Sequence, residues 1–234
     1  MHRMNVSLEK LAENYHNVLK RIHHAAEQAG RDPMDVKLVA VTKYVDDSVV
    51  RSLYQLGCRN FGENRPQVLW EKADKLSDCD ISWHMIGHLQ TNKVKRSLPM
   101  IYLLHAGDSL KLLNAVNREA NAKGVVADVL CEVNISGDGS KHGFSPDSMA
   151  DSLTEISQMQ NVRVKGLMAM ASLTGGTERA GEDFEKLRRL RDQLQQVVPD
   201  NVSLSELSMG MSGDFEQAID HGATLVRVGS VLYQ

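Results

Sequence analysis

Three stretches of the chain carry residue types that could do chemistry on one small molecule. The run Val36-Lys-Leu-Val-Ala-Val-Thr-Lys43 is almost unbroken apolar sequence and closes on a lysine. An amine at the edge of such a run is partly desolvated, which disfavours the ammonium form and leaves a nucleophile for a carbonyl carbon. The same side chain is also long enough to snorkel into solvent. Near the other end, Val226-Arg227-Val228-Gly229-Ser230 places a glycine and a small hydroxyl residue after an apolar run. Backbone N–H groups approach a phosphate closely at such a turn, and the hydroxyl adds a donor. Just before it, Ser208-Met-Gly-Met-Ser212-Gly-Asp214 leads into a helical Phe215 to Asp220. Ser212 is expected there as an N-cap, with free helix N–H groups turned toward an anion.

Such groups act together only if the fold gathers them. Apolar residues at helical spacing run from Asn5 to Ala29, closed by Gly30, and again from Asp46 to Leu56, closed by Gly57. Helical patterns also cover Pro66 to Leu76 and Glu182 to Val197. Between them, strand patterns recur at Val36–Lys43, Arg59–Gly62, Ile81–Ile86, Ile101–His105, Ala127–Ile135, Val162–Met168, Leu204–Ser208 and Thr224–Val228. About eight strands alternating with helices predict an α/β protein with a parallel sheet, closed as a (β/α)8 TIM barrel with an extra N-terminal helix. An open doubly wound sheet would normally show a Gly-x-Gly-x-x-Gly turn after its first strand, where this chain has Thr42-Lys43-Tyr44. No linker divides the pattern, so residues 1–234 are expected to form one domain. In a barrel, Lys43 and the two turns share the carboxyl face, and loops after strands seven and eight are the usual phosphate site. A carbonyl and a phosphate on one ligand are then called for. Pyridoxal 5′-phosphate (PLP) satisfies both, as does a phosphorylated keto-sugar handled by a Schiff-base aldolase.

Composition narrows the class further. With 27 basic and 30 acidic residues the net charge is −3, which argues against a coat for nucleic acid or anionic membrane. Three cysteines, Cys58, Cys79 and Cys131, form no CxxC pair and predict neither a zinc ribbon nor a disulfide framework. The polar start and the absence of a long apolar run point to a cytoplasmic chain, where Asn-x-Ser triplets at Asn5, Asn134 and Asn201 carry no weight. His84 and His88 have the spacing of a helical metal pair but flank Gly87 at a strand end, without an HExxH glutamate. They read as structural, and no metal is expected. The loop from Gly137 to Gly143 is glycine-rich and contains Lys141, which either approaches a ligand or is solvated.

Longer motifs bring a resemblance. Trp83-His-Met-Ile-Gly-His-Leu-Gln-Thr-Asn-Lys93 resembles the signature of the pyridoxal phosphate homeostasis protein family (the YggS/PROSC type). Val39–Lys43, Phe61-Gly-Glu-Asn64, Ser140-Lys-His-Gly143, Gly166-Leu-Met168, Ser208–Ser212 and Val226–Ser230 accompany it in the family's order. The resemblance implies a fold-type III barrel similar to the N-terminal domain of alanine racemase, with PLP held by Lys43 as a Schiff base. It places the phosphate on Ser212, Gly229 and Ser230, and puts Arg227 opposite the pyridine nitrogen, where it weakens the cofactor as an electron sink. Asn64, Ile86 and Met209 match further cofactor-lining positions. Two departures are Arg65-Pro66, where the family commonly has an aromatic residue, and the ending Val231-Leu-Tyr-Gln234.

The resemblance also implies a role. Alanine racemase places a tyrosine from a second domain opposite its lysine, giving a base on each face of the substrate carbon. Here the chain is expected to end as the barrel closes, leaving only a local group such as Tyr44 for that part. The expectation is a monomeric PLP-binding protein of intracellular cofactor homeostasis, without established catalysis and with no catalytic residue assigned. PLP-dependent apo-enzymes are its implied transient partners. A PLP-dependent amino-acid racemase is the enzyme alternative.

Overall fold

The structure, a computed structural model, describes residues 6–137, 142–172, 176–199 and 202–234. Eight parallel strands close on themselves in sequence order: β1 (Lys37–Val41), β2 (Asn60–Glu63), β3 (Ser82–Met85), β4 (Leu103–Gly107), β5 (Ala127–Glu132), β6 (Val162–Met168), β7 (Glu206–Ser208) and β8 (Leu225–Val228). The pairing of β1 with β8, with Val39 opposite Arg227, completes the circle. Helix α1 (Leu8–Gln28) precedes β1 as the expected extra helix. Each strand is then followed by a helix: α2 (Asp47–Gln55), α3 (Pro66–Lys75), α4 (Val94–Ser97), α5 (Leu110–Lys123), α6 (Met149–Ile156), α7 (Gly176–Leu194), α8 (Phe215–Asp220) and α9 (Ser230–Tyr233).

The apolar run of β1 is continuous because both its faces are buried. Val39 packs inside the barrel with Leu103, Ala106, Leu130, Met168 and Leu225. Leu38 and Ala40 point outward into the larger core beneath the helices. Helix α1 starts at Ser7, whose side chain accepts from the Lys10 N–H, and buries Leu11, Tyr15, Val18 and Ile22 at helical spacing. It packs on α8 and α9, and the Asn14 amide donates to the carbonyls of Leu232 and Gln234. The helix therefore fixes the segment that follows β8.

Several expected boundaries shift. Lys43 lies two residues beyond β1, because Thr42 N–H still bonds Gly62 while its carbonyl turns to accept from Val45 N–H. β5 stops at Glu132 and β7 begins only at Glu206, whereas β6 and α8 have their expected bounds. Among the described residues, no helix is long and apolar enough to cross a membrane.

Candidate functional site

A cavity of about 440 Å³ opens at the carboxyl end of the barrel, within the range of small-molecule sites. Lys43, Asn64, Ile86, Ser212, Arg227, Gly229 and Ser230 all line it, brought from the ends of β1, β2, β3, β7 and β8. Met209 does not join them: it is fully buried in the core, and Met170 and Met211 stand on the wall instead. Ser212 is not a helix cap. Asp214 occupies that position, and Ser212 Oγ instead accepts from the Gly229 N–H at 3.0 Å, joining the two turns into one cup. Lys141 and Ser140 lie outside the described residues.

The Lys43 loop is held from below. Thr42 Oγ donates to Glu63 at 2.6 Å, and the Thr42 carbonyl accepts from Lys72 Nζ at 2.7 Å. Lys72 and Glu63 themselves form a buried ion pair at 2.5 Å between α3 and β2. From the other side, the Tyr233 hydroxyl on α9 donates to the Val41 carbonyl at 3.1 Å. Burial holds that phenol well above its usual range, so it stays a donor. Lys43 Nζ itself stands 4.9 Å from the centre of the Tyr44 ring, a cation–π distance.

Arg227 is anchored by a chain of hydrogen bonds through the barrel interior. Its guanidinium donates to Ser208 Oγ at 2.5 Å and to the Ala169 carbonyl at 3.0 Å. Ser208 Oγ meets His105 Nδ1 at 2.8 Å, His105 Nε2 meets His84 Nδ1 at 2.8 Å, and His84 Nε2 meets Asn60 Oδ1 at 3.1 Å. An amide oxygen can only accept, so each proton is assigned in turn: His84 Nε2–H donates to Asn60, His105 Nε2–H to His84, and Ser208 O–H to His105. Burial, with Lys37 adding repulsion, pushes His84 down to about 3. His105 falls well below the ordinary histidine range through burial and the charges of His84 and Arg227. Both imidazoles are therefore neutral. Burial lowers Arg227 to about 10, still cationic at neutral pH. Glu132, at the end of β5, is raised to about 7 by burial and by Asp108, against the pull of Arg227 and His88.

Two details bear on how the cavity could receive a ligand. Asn64, on the cavity wall, has its Oδ1 buried without a hydrogen-bond partner, an acceptor whose donor the protein itself does not supply. Gly229 lies so close to Val41 that a Cβ would meet the Val41 Cβ at 3.3 Å and its carbonyl oxygen at 3.4 Å, so a side chain would crowd the cup. Nearby, a Cβ on Gly87 would fall 2.4 Å from the Asn64 carbonyl oxygen, so only glycine lets β2 and β3 converge here.

Residues 6–234 match the model of the alanine racemase N-terminal domain. The pyridoxal phosphate homeostasis protein of Aquifex aeolicus is 41% identical over 94% of this chain and 96% of its own length. That of Pseudomonas aeruginosa is 38% identical over 97% and 96%. The chain belongs to the pyridoxal phosphate homeostasis protein family. Among solved structures, PipY of Synechococcus elongatus with PLP bound superposes with a TM-score of 0.83 at 32% identity, covering 96% of this chain and all of that one. Alanine racemase of Clostridium difficile shares the fold at 17% identity, with a TM-score of 0.77 over 97% of this chain and 57% of its own. The homeostasis-protein signature thus maps onto structure in two ways. Its first histidine, His84, belongs to the buried chain behind Arg227, whereas its second, His88, stands on the rim beyond Gly87. The two histidines do not meet on one ligand. Sequence reasoning missed His105, Ser208 and Asn60 as one network, although inward alternation along β3 and β4 carries that signal.

Proposed function

We propose that this chain binds pyridoxal 5′-phosphate in the cavity at the carboxyl end of its barrel and serves cofactor homeostasis rather than turnover of a substrate. The observation that carries the reading is the convergence on one cavity of a lysine and of the hydroxyl residues Ser212 and Ser230 beside Gly229. When bound, the cofactor supplies an aldehyde that condenses with an amine. Lys43 would offer that amine and so hold the cofactor, with water released. Ser212 and Ser230 offer their hydroxyls to the phosphate, and Gly229, whose N–H holds Ser212 Oγ, leaves room for it without a side chain. Asn64 supplies its unpartnered acceptor, Ile86 packs on the ring, and Arg227 presents N–H donors toward the ring nitrogen. Met209 supports the wall from behind. Residues 1–234 act as one cofactor-binding domain, as a cytoplasmic monomer, with PLP-dependent apo-enzymes as transient recipients.

Absorbance tests this reading. Purified chain mixed with PLP should gain a visible band that borohydride bleaches and that Lys43→Ala abolishes. Protein that keeps no such band once excess PLP, itself yellow, has been removed by gel filtration overturns the binding claim. Racemisation of L-alanine at an enzyme-like rate, on the order of 10 per second, overturns the homeostasis claim.

A further inference from the structure

We propose that His88, Asp108 and His142 form a binding site for a divalent transition-metal ion of the zinc type on the barrel rim. The three residues come from the loops after β3, β4 and β5, away from the phosphate cup that follows β7 and β8. One ligand atom from each lies within 4.8 Å of the other two. His88 Nδ1 already contacts Asp108 Oδ2 at 2.5 Å, and the His88 and His142 rings stack with centroids 4.6 Å apart. Two imidazoles and a carboxylate are the donor set of three-ligand zinc sites, which leave a fourth position open to water or a substrate group.

Charge favours a cation at this corner. The Asp108 side chain is only 4% exposed, and its second oxygen already accepts from Ser109 Oγ at 3.0 Å, which orients the carboxylate. Glu132 adds another buried carboxylate whose charge interacts with both Asp108 and His88. Two acidic groups in one poorly solvated corner repel, and a divalent ion between the imidazoles offsets that repulsion.

The geometry also states what must move. Ligand atoms around a tetrahedral zinc ion lie about 3.3 Å apart. The His88–Asp108 hydrogen bond must therefore open slightly, and the stacked rings, 15° from parallel, must rotate to converge on one point. Both rings are exposed, which leaves that rotation free. Because an imidazole binds metal only through an unprotonated nitrogen, whichever His88 nitrogen takes the ion must be the one without a hydrogen.

The test is calorimetry with zinc chloride on the intact chain, with cobalt(II) as the visible probe. It is run with and without PLP, since the site does not depend on the cofactor. The expected result is one ion per chain and a cobalt d–d band. His88→Ala and His142→Ala should each weaken binding more than about tenfold, while His23→Ala/His24→Ala on the exposed side of α1 leaves it unchanged. Circular dichroism establishes that the variants are folded. Absence of zinc binding, or binding that survives the His88→Ala/His142→Ala pair, overturns the proposal.

Discussion

Ser208 does more than its place in a signature motif suggests. Its hydroxyl accepts from Arg227 while donating to His105, so one oxygen couples the buried cation to the imidazole chain. A buried guanidinium that loses an acceptor keeps its desolvation cost without compensation. Ser208→Ala should therefore destabilise the fold by about 1–3 kcal/mol in urea titration. It should also weaken PLP binding, read at the visible band, because Arg227 is no longer held in one rotamer. Ser208→Thr retains the hydroxyl and should recover much of both losses. At this scale Lys43, Ser212, Gly229 and Ser230 were readable because each stands in a short local pattern. The Arg227 anchor was not, since Ser208 and His105 are 103 positions apart in the chain. Ser212 shows the opposite error: a residue well suited to cap the next helix instead bonds across to Gly229.

Among the elements, α3 and β2 carry the loop that bears Lys43. Their buried Glu63–Lys72 pair holds both the hydroxyl and the carbonyl of Thr42. Removing one partner leaves the other charge buried and alone, at a cost of about 3–5 kcal/mol. Lys72→Met should lose that much stability by chemical denaturation, and the Glu63→Gln/Lys72→Met double variant should regain a large part of it. If the double variant is no more stable than Lys72→Met, the pair does not act as a unit. Strand existence was legible almost throughout, because two-sided burial leaves unbroken apolar runs such as Val39–Val41. Strand ends were less legible, because they depend on neighbours: β1 stops at Val41 when the Thr42 carbonyl is claimed by Val45 and Lys72. The Glu63–Lys72 pair itself gave no sequence signal, since a glutamate and a lysine nine positions apart are usually solvated.

For the molecule as a whole, the neutral histidine pair sets an acid limit. The folded-state value of His84 is depressed from 6.5 to about 3, and that of His105 is also well below its usual range. Below pH 6.5 the unfolded chain takes up protons that the folded chain refuses, so stability falls as pH falls through this window. His84 alone contributes a slope near 1.4 kcal/mol per pH unit, or roughly 2 kcal/mol between neutrality and about pH 5, and His105 adds in the same direction. A His84→Leu/His105→Leu variant should be less stable at neutral pH and show a visibly flatter denaturation midpoint against pH. An unchanged slope would mean that carboxylates alone govern acid unfolding.

The bond from Tyr233 to Val41 spans 192 positions of chain and ties the first strand to the helix after the last. A ribosome adding roughly 5–20 residues per second needs on the order of ten to forty seconds to cover that interval. For most of that time Lys43 exists without the turns that follow β7 and β8. The cavity lined by Lys43 on one side and by Gly229 and Ser230 on the other is therefore complete only once the segment after β8 has joined β1, and any ligand held there reinforces that closure by mass action.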